Sequence, residues 1–288
     1  MFYGSMTALV TPFCEGKVDW ESLDRLIEFQ IEKGTDAIIP CGTTGESATL
    51  SHEEHDQVVE FVVKKAGGRR KVIAGAGSNN TIEALRLTRH ALDVGADGAL
   101  VITPYYNKPT QAGMIKHFEQ LATVGIPLVL YNVPGRTGIS LAPETVAILS
   151  EVENIVAIKE ASGSLEQVNQ ILNLCRITVL SGDDMLTLPM LAVGARGVIS
   201  VAANVVPAEV KRMVSSALSG DWEAARREHF RLYNLFKAMF LETNPIPVKT
   251  SLAMMGMIRE EFRLPLCEIS SANRQRLEKL LASYSLIG

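Results

Sequence analysis

Short apolar runs rich in β-formers alternate along this chain with longer stretches whose apolar residues recur every three to four positions. The short runs are Ser5–Val10, Ala37–Pro40, Lys71–Ala76, Gly98–Thr103, Pro127–Asn132, Ile155–Lys159, Thr178–Ser181 and Gly197–Val201. They carry apolar residues with little polar alternation, which is the pattern of strands covered on both faces. The stretches between them have helical period. Val18–Lys33 places Leu23, Leu26, Ile27 and Ile31 on one face, and Thr81–Gly95 does the same with Ile82, Leu85, Leu87 and Leu92. Gly34, Gly67, Gly95, Gly125 and Gly194 follow the periodic stretches, where a residue free to turn left-handed ends a helix.

Eight strands, each followed by a helix, predict an α/β fold: a closed (β/α)8 TIM barrel. The alternative is a doubly wound open sheet, which normally uses fewer strands. From residue 221 onward the pattern is helical only, at Trp222–Leu241, Val248–Ile258 and Ser271–Ser283. The expected organisation is therefore a catalytic barrel over residues 1–220 and a C-terminal helical region over 221–288.

Composition narrows the class. The chain has 288 residues, 47% of them hydrophobic, and a net charge of −4. That suffices for a large core and gives no basic surface for nucleic acid. Arg69-Arg70-Lys71 reads as a solvated turn before a strand. No apolar run approaches the roughly 20 residues of a membrane span, and the start lacks the basic and apolar regions of a secretory signal. Cys14, Cys41, Cys175 and Cys267 are widely spaced and form no CxxC pair. They read as reduced thiols of a cytoplasmic protein, not as a zinc site.

The chemistry gathers where strands end. Lys159 closes an apolar strand, and a buried lysine is costly unless paired or neutral. One reading makes it a nucleophile toward a keto group; the other makes it the ion-pair partner of Glu160. Other strand ends carry Cys41-Gly-Thr-Thr-Gly-Glu46, Thr103-Pro-Tyr105-Tyr106-Asn107, Tyr131-Asn132-Val-Pro-Gly135-Arg136-Thr137-Gly138, Ser181-Gly182-Asp183-Asp184 and Gly197-Val-Ile199-Ser200. Singly, each admits a plain structural role: a capping threonine, a core tyrosine, a surface arginine. Together at one barrel rim they suit Schiff-base chemistry. Lys159 attacks a keto acid, and Tyr131, Thr44 and Tyr106 relay protons. The Gly-Thr-Thr-Gly turn holds one carboxylate and Arg136 a second.

Other motifs fail. Gly75-Ala-Gly77-Ser-Asn-Asn80 approximates a dinucleotide fingerprint, with Asp97 about twenty residues on, but Asn80 stands where the third glycine belongs. In His52-Glu-Glu-His55, Asp56 occupies the position a zinc-protease motif gives to its second histidine. Asp183-Asp184 is an isolated acidic pair, a thin basis for Mg²⁺.

Gly42-Thr-Thr-Gly-Glu46, Tyr105-Tyr106-Asn107, Tyr131-Asn-Val-Pro-Gly-Arg-Thr-Gly138, Ile158-Lys-Glu160, Gly182-Asp-Asp184, Gly197-Val-Ile-Ser200 and Asn244-Pro-Ile-Pro-Val-Lys249 together resemble the dihydrodipicolinate synthase family. That family lies within the pyruvate-dependent Schiff-base aldolase superfamily that includes N-acetylneuraminate lyase. The resemblance runs through essentially the whole chain. It implies a homotetramer built from tight dimers, no metal and no organic cofactor. It implies that Lys159 forms the imine with pyruvate and that Tyr131, Thr44 and Tyr106 relay protons, Tyr106 across a subunit boundary. Thr43 would hold the pyruvate carboxylate and Arg136 the carboxylate of L-aspartate 4-semialdehyde. Gly182 and Ile199 would line the pocket through backbone groups. The product would enter diaminopimelate and lysine biosynthesis. Many members are inhibited by L-lysine between subunits, and the matching positions here are Ser47, Ala48, His52, His55, Asn79, Glu83 and Tyr105. Two other readings stand beside this one: a lyase for a sugar acid or 4-hydroxy-2-oxo acid, and an idle barrel that senses a keto acid or lysine.

Overall fold

All eight apolar runs are strands of one closed parallel barrel in the computed structural model, which describes residues 2–288. The barrel strands are β1 (Gly4–Ala8), β4 (Ala37–Ile39), β5 (Lys71–Gly75), β6 (Gly98–Ile102), β7 (Leu128–Asn132), β8 (Ile155–Glu160), β9 (Thr178–Ser181) and β10 (Gly197–Ser200). Each pairs in parallel with its successor, and β1 closes the ring by pairing with both β4 and β10. An open sheet is thereby excluded.

The remaining two strands, β2 (Phe13–Cys14) and β3 (Lys17–Val18), form a small antiparallel hairpin that the apolar pattern did not reveal. It takes Val18 from the predicted first helix. That helix, α1 (Trp20–Glu32), starts two residues later, where the Asp19 carboxylate accepts the Ser22 N–H. The helices that follow are α2 (His52–Ala66), α3 (Thr81–Asp93), α4 (Gln111–Ala122), α5 (Pro134–Thr137), α6 (Pro143–Ser150), α7 (Leu165–Leu174), α8 (Thr187–Ala192) and α9 (Pro207–Leu218). The five glycines expected at helix ends all have positive φ, from 55° at Gly67 to 119° at Gly194.

The strands bury both faces. Met6, Ile39, Ile73, Leu100, Val129, Ala157 and Ile199 pack inside the barrel, and Ile38, Val72, Leu128, Ile158 and Val198 pack outward under the helices. That two-sided burial is why the runs read as continuously apolar. The chain ends in α10 (Trp222–Ala238), α11 (Ile246–Met254) and α12 (Ser271–Ser283). Helix α10 lies along α9, and its Leu232, Leu235 and Phe236 join the outer core without interruption. Helix α11 is buried at every position from Ile246 to Leu252 and approaches the barrel mouth. Among the described residues no helix is long and apolar enough to cross a membrane.

Candidate active site

Lys159 and Tyr131 are register partners on β8 and β7. Side chains alternate along a strand, so Ala157 and Lys159 enter the barrel while Ile158 and Glu160 face out. The Lys159 ammonium stands 4.2 Å from the centroid of the Tyr131 ring, and both residues are buried, at 6% exposure each. Glu160 takes no part in holding Lys159. Its carboxylate accepts from Asn132 Nδ2 at 2.9 Å and from the Ser162 backbone at 2.7 Å, on the other face of the sheet. The ion-pair reading of Lys159 is therefore corrected: among the described residues no carboxylate lies within 4 Å of its ammonium. The Tyr131 hydroxyl likewise forms no hydrogen bond with the described chain.

Gly182 follows β9 and donates its N–H to the Glu160 carbonyl at 2.8 Å. A Cβ here would stand 3.0 Å from Lys159 Cε and 2.6 Å from the Ala161 Cβ, so glycine is what leaves the lysine its room. Ile199 on β10 belongs to the inner packing around Tyr131.

The turn after β4 supplies Thr43 and Thr44. Two non-glycine residues in left-handed conformation bracket it, Cys41 at φ 55° and Glu46 at φ 52°. Such conformations persist only where neighbours enforce them. Glu46 is enforced by a buried ion pair: Lys249 Nζ on α11 lies 2.5 Å from its carboxylate, with both side chains at 1% exposure or less. The Lys249 ammonium also sits 4.3 Å from the Phe13 ring and 5.1 Å from the Phe262 ring. Burial pulls its pKa below the usual lysine range, and the attraction of Glu46 works against that shift. The close approach of Cys41 explains a glycine as well. A Cβ at Gly75 would come within 2.1 Å of the Cys41 carbonyl oxygen, so the glycines of the failed dinucleotide motif serve strand packing.

Thr44 is buried, and its Oγ1 accepts from Asn244 Nδ2 at 2.9 Å. Arg136, on α5 after β7, donates to the Asn244 carbonyl at 3.1 Å. Thr43, Tyr131, Arg136 and Asn244 share the wall of one cavity of about 450 Å³. Thr44, Lys159, Gly182 and Ile199 are not among its lining residues; Lys159 packs on Tyr131, with Gly182 beside it and Ile199 in the same inner cluster. Tyr106 is apart from them: it is 89% exposed at φ 71° and does not line the cavity of its own chain.

The same cavity extends to Ser47, Ala48, His52, His55, Glu83 and Tyr105. Asn79 is outside it, with its carbonyl bound by Asn107 Nδ2 at 2.9 Å. His52 Nε2 lies 3.3 Å from Glu83, whose carboxylate also accepts from the Ser78 hydroxyl. Burial lowers the His55 pKa to about 4, so this ring is neutral near pH 7. Glu54, the second glutamate of the His-Glu-Glu-His segment, caps its own helix with Ser51. It also binds Arg263 in bidentate fashion, which lowers its pKa to about 2.

Asp183 and Asp184 are occupied by backbone. Asp183 accepts from the Met185 and Leu186 N–H groups, and Asp184 from those of Val201 and Ala202. Among the described residues no three His, Cys, Asp or Glu side chains are grouped to hold a metal.

Sequence reasoning quoted Glu46, Asn244 and Lys249 within its motifs but gave none of them a role in the site. A signal existed for the last. Lys249 stands in an apolar helix, so the argument that singled out Lys159 applies to it with greater force.

A sequence model of the Dihydrodipicolinate synthetase family matches residues 1–284. The 4-hydroxy-tetrahydrodipicolinate synthase of Geotalea uraniireducens is 56% identical over the full length of both chains. The crystal structure of dihydrodipicolinate synthase from Aquifex aeolicus superposes with a TM-score of 0.98 at 55% identity, covering 99% of each chain. The chloride-inhibited enzyme from Acinetobacter baumannii complexed with pyruvate has TM-score 0.98 at 43% identity, covering both chains fully. The enzyme from Cyanidioschyzon merolae with lysine bound has TM-score 0.96 at 43% identity, covering 99% of each.

Proposed function

The chain belongs to the dihydrodipicolinate synthetase family, and from that membership and the rim geometry we propose how its residues divide the work. The activity is that of a 4-hydroxy-tetrahydrodipicolinate synthase, a carbon–oxygen lyase that joins pyruvate to L-aspartate 4-semialdehyde on the route to diaminopimelate and lysine. Lys159 Nζ adds to the keto carbon of pyruvate and water leaves. The protonated imine draws electrons from the neighbouring methyl carbon, which loses a proton to become an enamine. That carbon adds to the aldehyde carbon, whose oxygen takes a proton to become a hydroxyl; the amino group of the semialdehyde then adds to the imine carbon, closing the ring and expelling the Lys159 amine for the next cycle.

The observation that carries this reading is Lys159, buried without a carboxylate partner and against the face of Tyr131. A π-face tolerates the ammonium while leaving its lone pair accessible on deprotonation. Tyr131 and Thr44 move the protons, joined by Tyr106 from a neighbouring subunit. The exposure of Tyr106 and its turn away from the local cavity support that assignment. Two copies related by a twofold axis would each lend this tyrosine to the other, and pairs of such dimers would form the homotetramer. The Thr43 segment binds the pyruvate carboxylate. Arg136, already oriented by the Asn244 carbonyl, binds the carboxylate of the semialdehyde. Gly182 and Ile199 complete the pocket wall around the imine.

Incubation with pyruvate and borohydride, followed by peptide mass mapping, is expected to place one reduced adduct on the peptide containing Lys159. A folded protein that gives no adduct would mean that Lys159 is structural. A keto-acid sensor would bind pyruvate without turning over L-aspartate 4-semialdehyde, and a sugar-acid lyase would not use the semialdehyde at all.

The second lobe of the cavity fits L-lysine. Glu83 offers a carboxylate to the α-ammonium, Ser47 and the neutral His55 offer acceptors to the ε-ammonium, and Tyr105 offers a hydroxyl to the carboxylate. Ala48 and His52 complete the wall, and Asn79, outside the cavity of its own chain, would join it when the partner subunit closes the cleft. Activity is expected to fall with rising L-lysine, with half-inhibition below about 1 mM, a concentration that corresponds to a modest binding energy near 4 kcal/mol. Full activity at 10-fold higher L-lysine, about 10 mM on the same scale, would remove feedback from the reading.

A further inference from the structure

We propose that Asn244 is a positioning residue that sets the direction of the proton relay and couples it to the electrophile-binding arginine. The inference rests on Thr44 acting as a relay hydroxyl. A threonine hydroxyl carries one proton and two lone pairs. Asn244 Nδ2 donates to Thr44 Oγ1 at 2.9 Å, and an amide N–H₂ cannot accept in return. One lone pair is thereby occupied, and the Thr44 O–H must point away from Asn244. The side chain is buried at 5% exposure, and its Oδ1 has no hydrogen-bond partner among the described residues. An amide kept in that position with half of its hydrogen-bonding capacity unused is not there for stability alone.

The same residue reaches the other half of the site. Its backbone carbonyl accepts from Arg136 at 3.1 Å. The segment that follows is fixed by α11, where Lys249 is paired with Glu46, two positions past Thr44 on the turn. One short segment from the end of the chain therefore touches the relay through a side chain and the arginine through the backbone. Substitution at residue 244 separates the two, because it removes only the first contact.

Asn244→Ala is expected to lower kcat by about 10- to 100-fold, the scale of a disturbed acid–base relay, with KM for the semialdehyde within about twofold. The decisive comparison is a double-mutant cycle with Thr44→Val. If Asn244 acts through Thr44, the loss in N244A/T44V equals that in T44V alone. Multiplying losses would overturn the proposal. A T44V enzyme with undiminished kcat would instead overturn the relay reading itself, so the two failures are distinct.

Asn244→Asp provides a second test in a side chain of the same size. Its carboxylate can only accept, so it draws the Thr44 proton out of the relay, and kcat falls. Protonation restores a donor, and the ratio of N244D to wild-type kcat is expected to climb as pH falls toward the carboxyl pKa, raised by burial. An Asn244 amide oriented the other way, accepting from Thr44, would be mimicked by aspartate. N244D would then match wild type at every pH, and that result also overturns the proposal.

Discussion

Lys159→Ala is expected to lower the condensation rate by about 10⁴-fold or more, with no fall in the thermal midpoint. The first effect follows from covalent catalysis, since among the described residues no other amine stands in the inner barrel cluster to form the imine. The second follows from burial. Lys159 is 6% exposed with the Tyr131 ring beneath its ammonium, and removing such a group relieves desolvation that offsets the small cavity left behind. Lys159→Arg should be as inactive as the alanine variant, because a guanidinium keeps the charge but is not a nucleophile. Steady-state rates with both substrates and a calorimetric scan check the pair of effects. Activity within tenfold of wild type in K159A would sink the Schiff-base assignment, and a midpoint lowered by many degrees would make the lysine structural.

Lys249→Met is expected to be the most destabilising single change at the site, by about 3–5 kcal/mol. It takes the ammonium away from a Glu46 carboxylate at 1% exposure, whose remaining hydrogen bond comes from the Arg263 backbone N–H at 3.3 Å. Glu46 is also held left-handed, so release of its carboxylate frees the Gly-Thr-Thr-Gly turn to relax. The residual folded protein should therefore have a reduced kcat, measured well below its lowered midpoint. Adding Glu46→Gln removes the stranded charge, and most of the lost stability should return while the turn stays loose. A single variant with an unchanged denaturation midpoint would show that the pair is not energetically coupled to the fold. A double variant no more stable than the single would show that the cost was packing and not charge.

The barrel and the buried lysine at the end of β8 were legible because both follow from local chemistry. A strand buried on two faces must be apolar along its length, and eight of them separated by amphipathic helices leave few topologies. Strand ends in a parallel barrel share one rim, so residues scattered from Thr43 to Ile199 can be assigned to one site before any coordinate is known. The lysine in β8 is conspicuous because burial of an ammonium is costly.

What the sequence could not decide were the contacts between distant segments. Nothing local says that Lys159 stands over Tyr131 while its neighbour Glu160 turns outward to Asn132; the pleat and the register of β7 against β8 decide that. The hairpin at Phe13–Val18 is too short for any periodic signal. The pairing of Glu46 with Lys249, and of Thr44 with Asn244, spans some two hundred residues of chain. Each of these side chains has many possible partners in the sequence. The packing of α11 over the barrel mouth selects one, because a buried charge or amide must find its complement among the few groups that the fold brings within 3 Å.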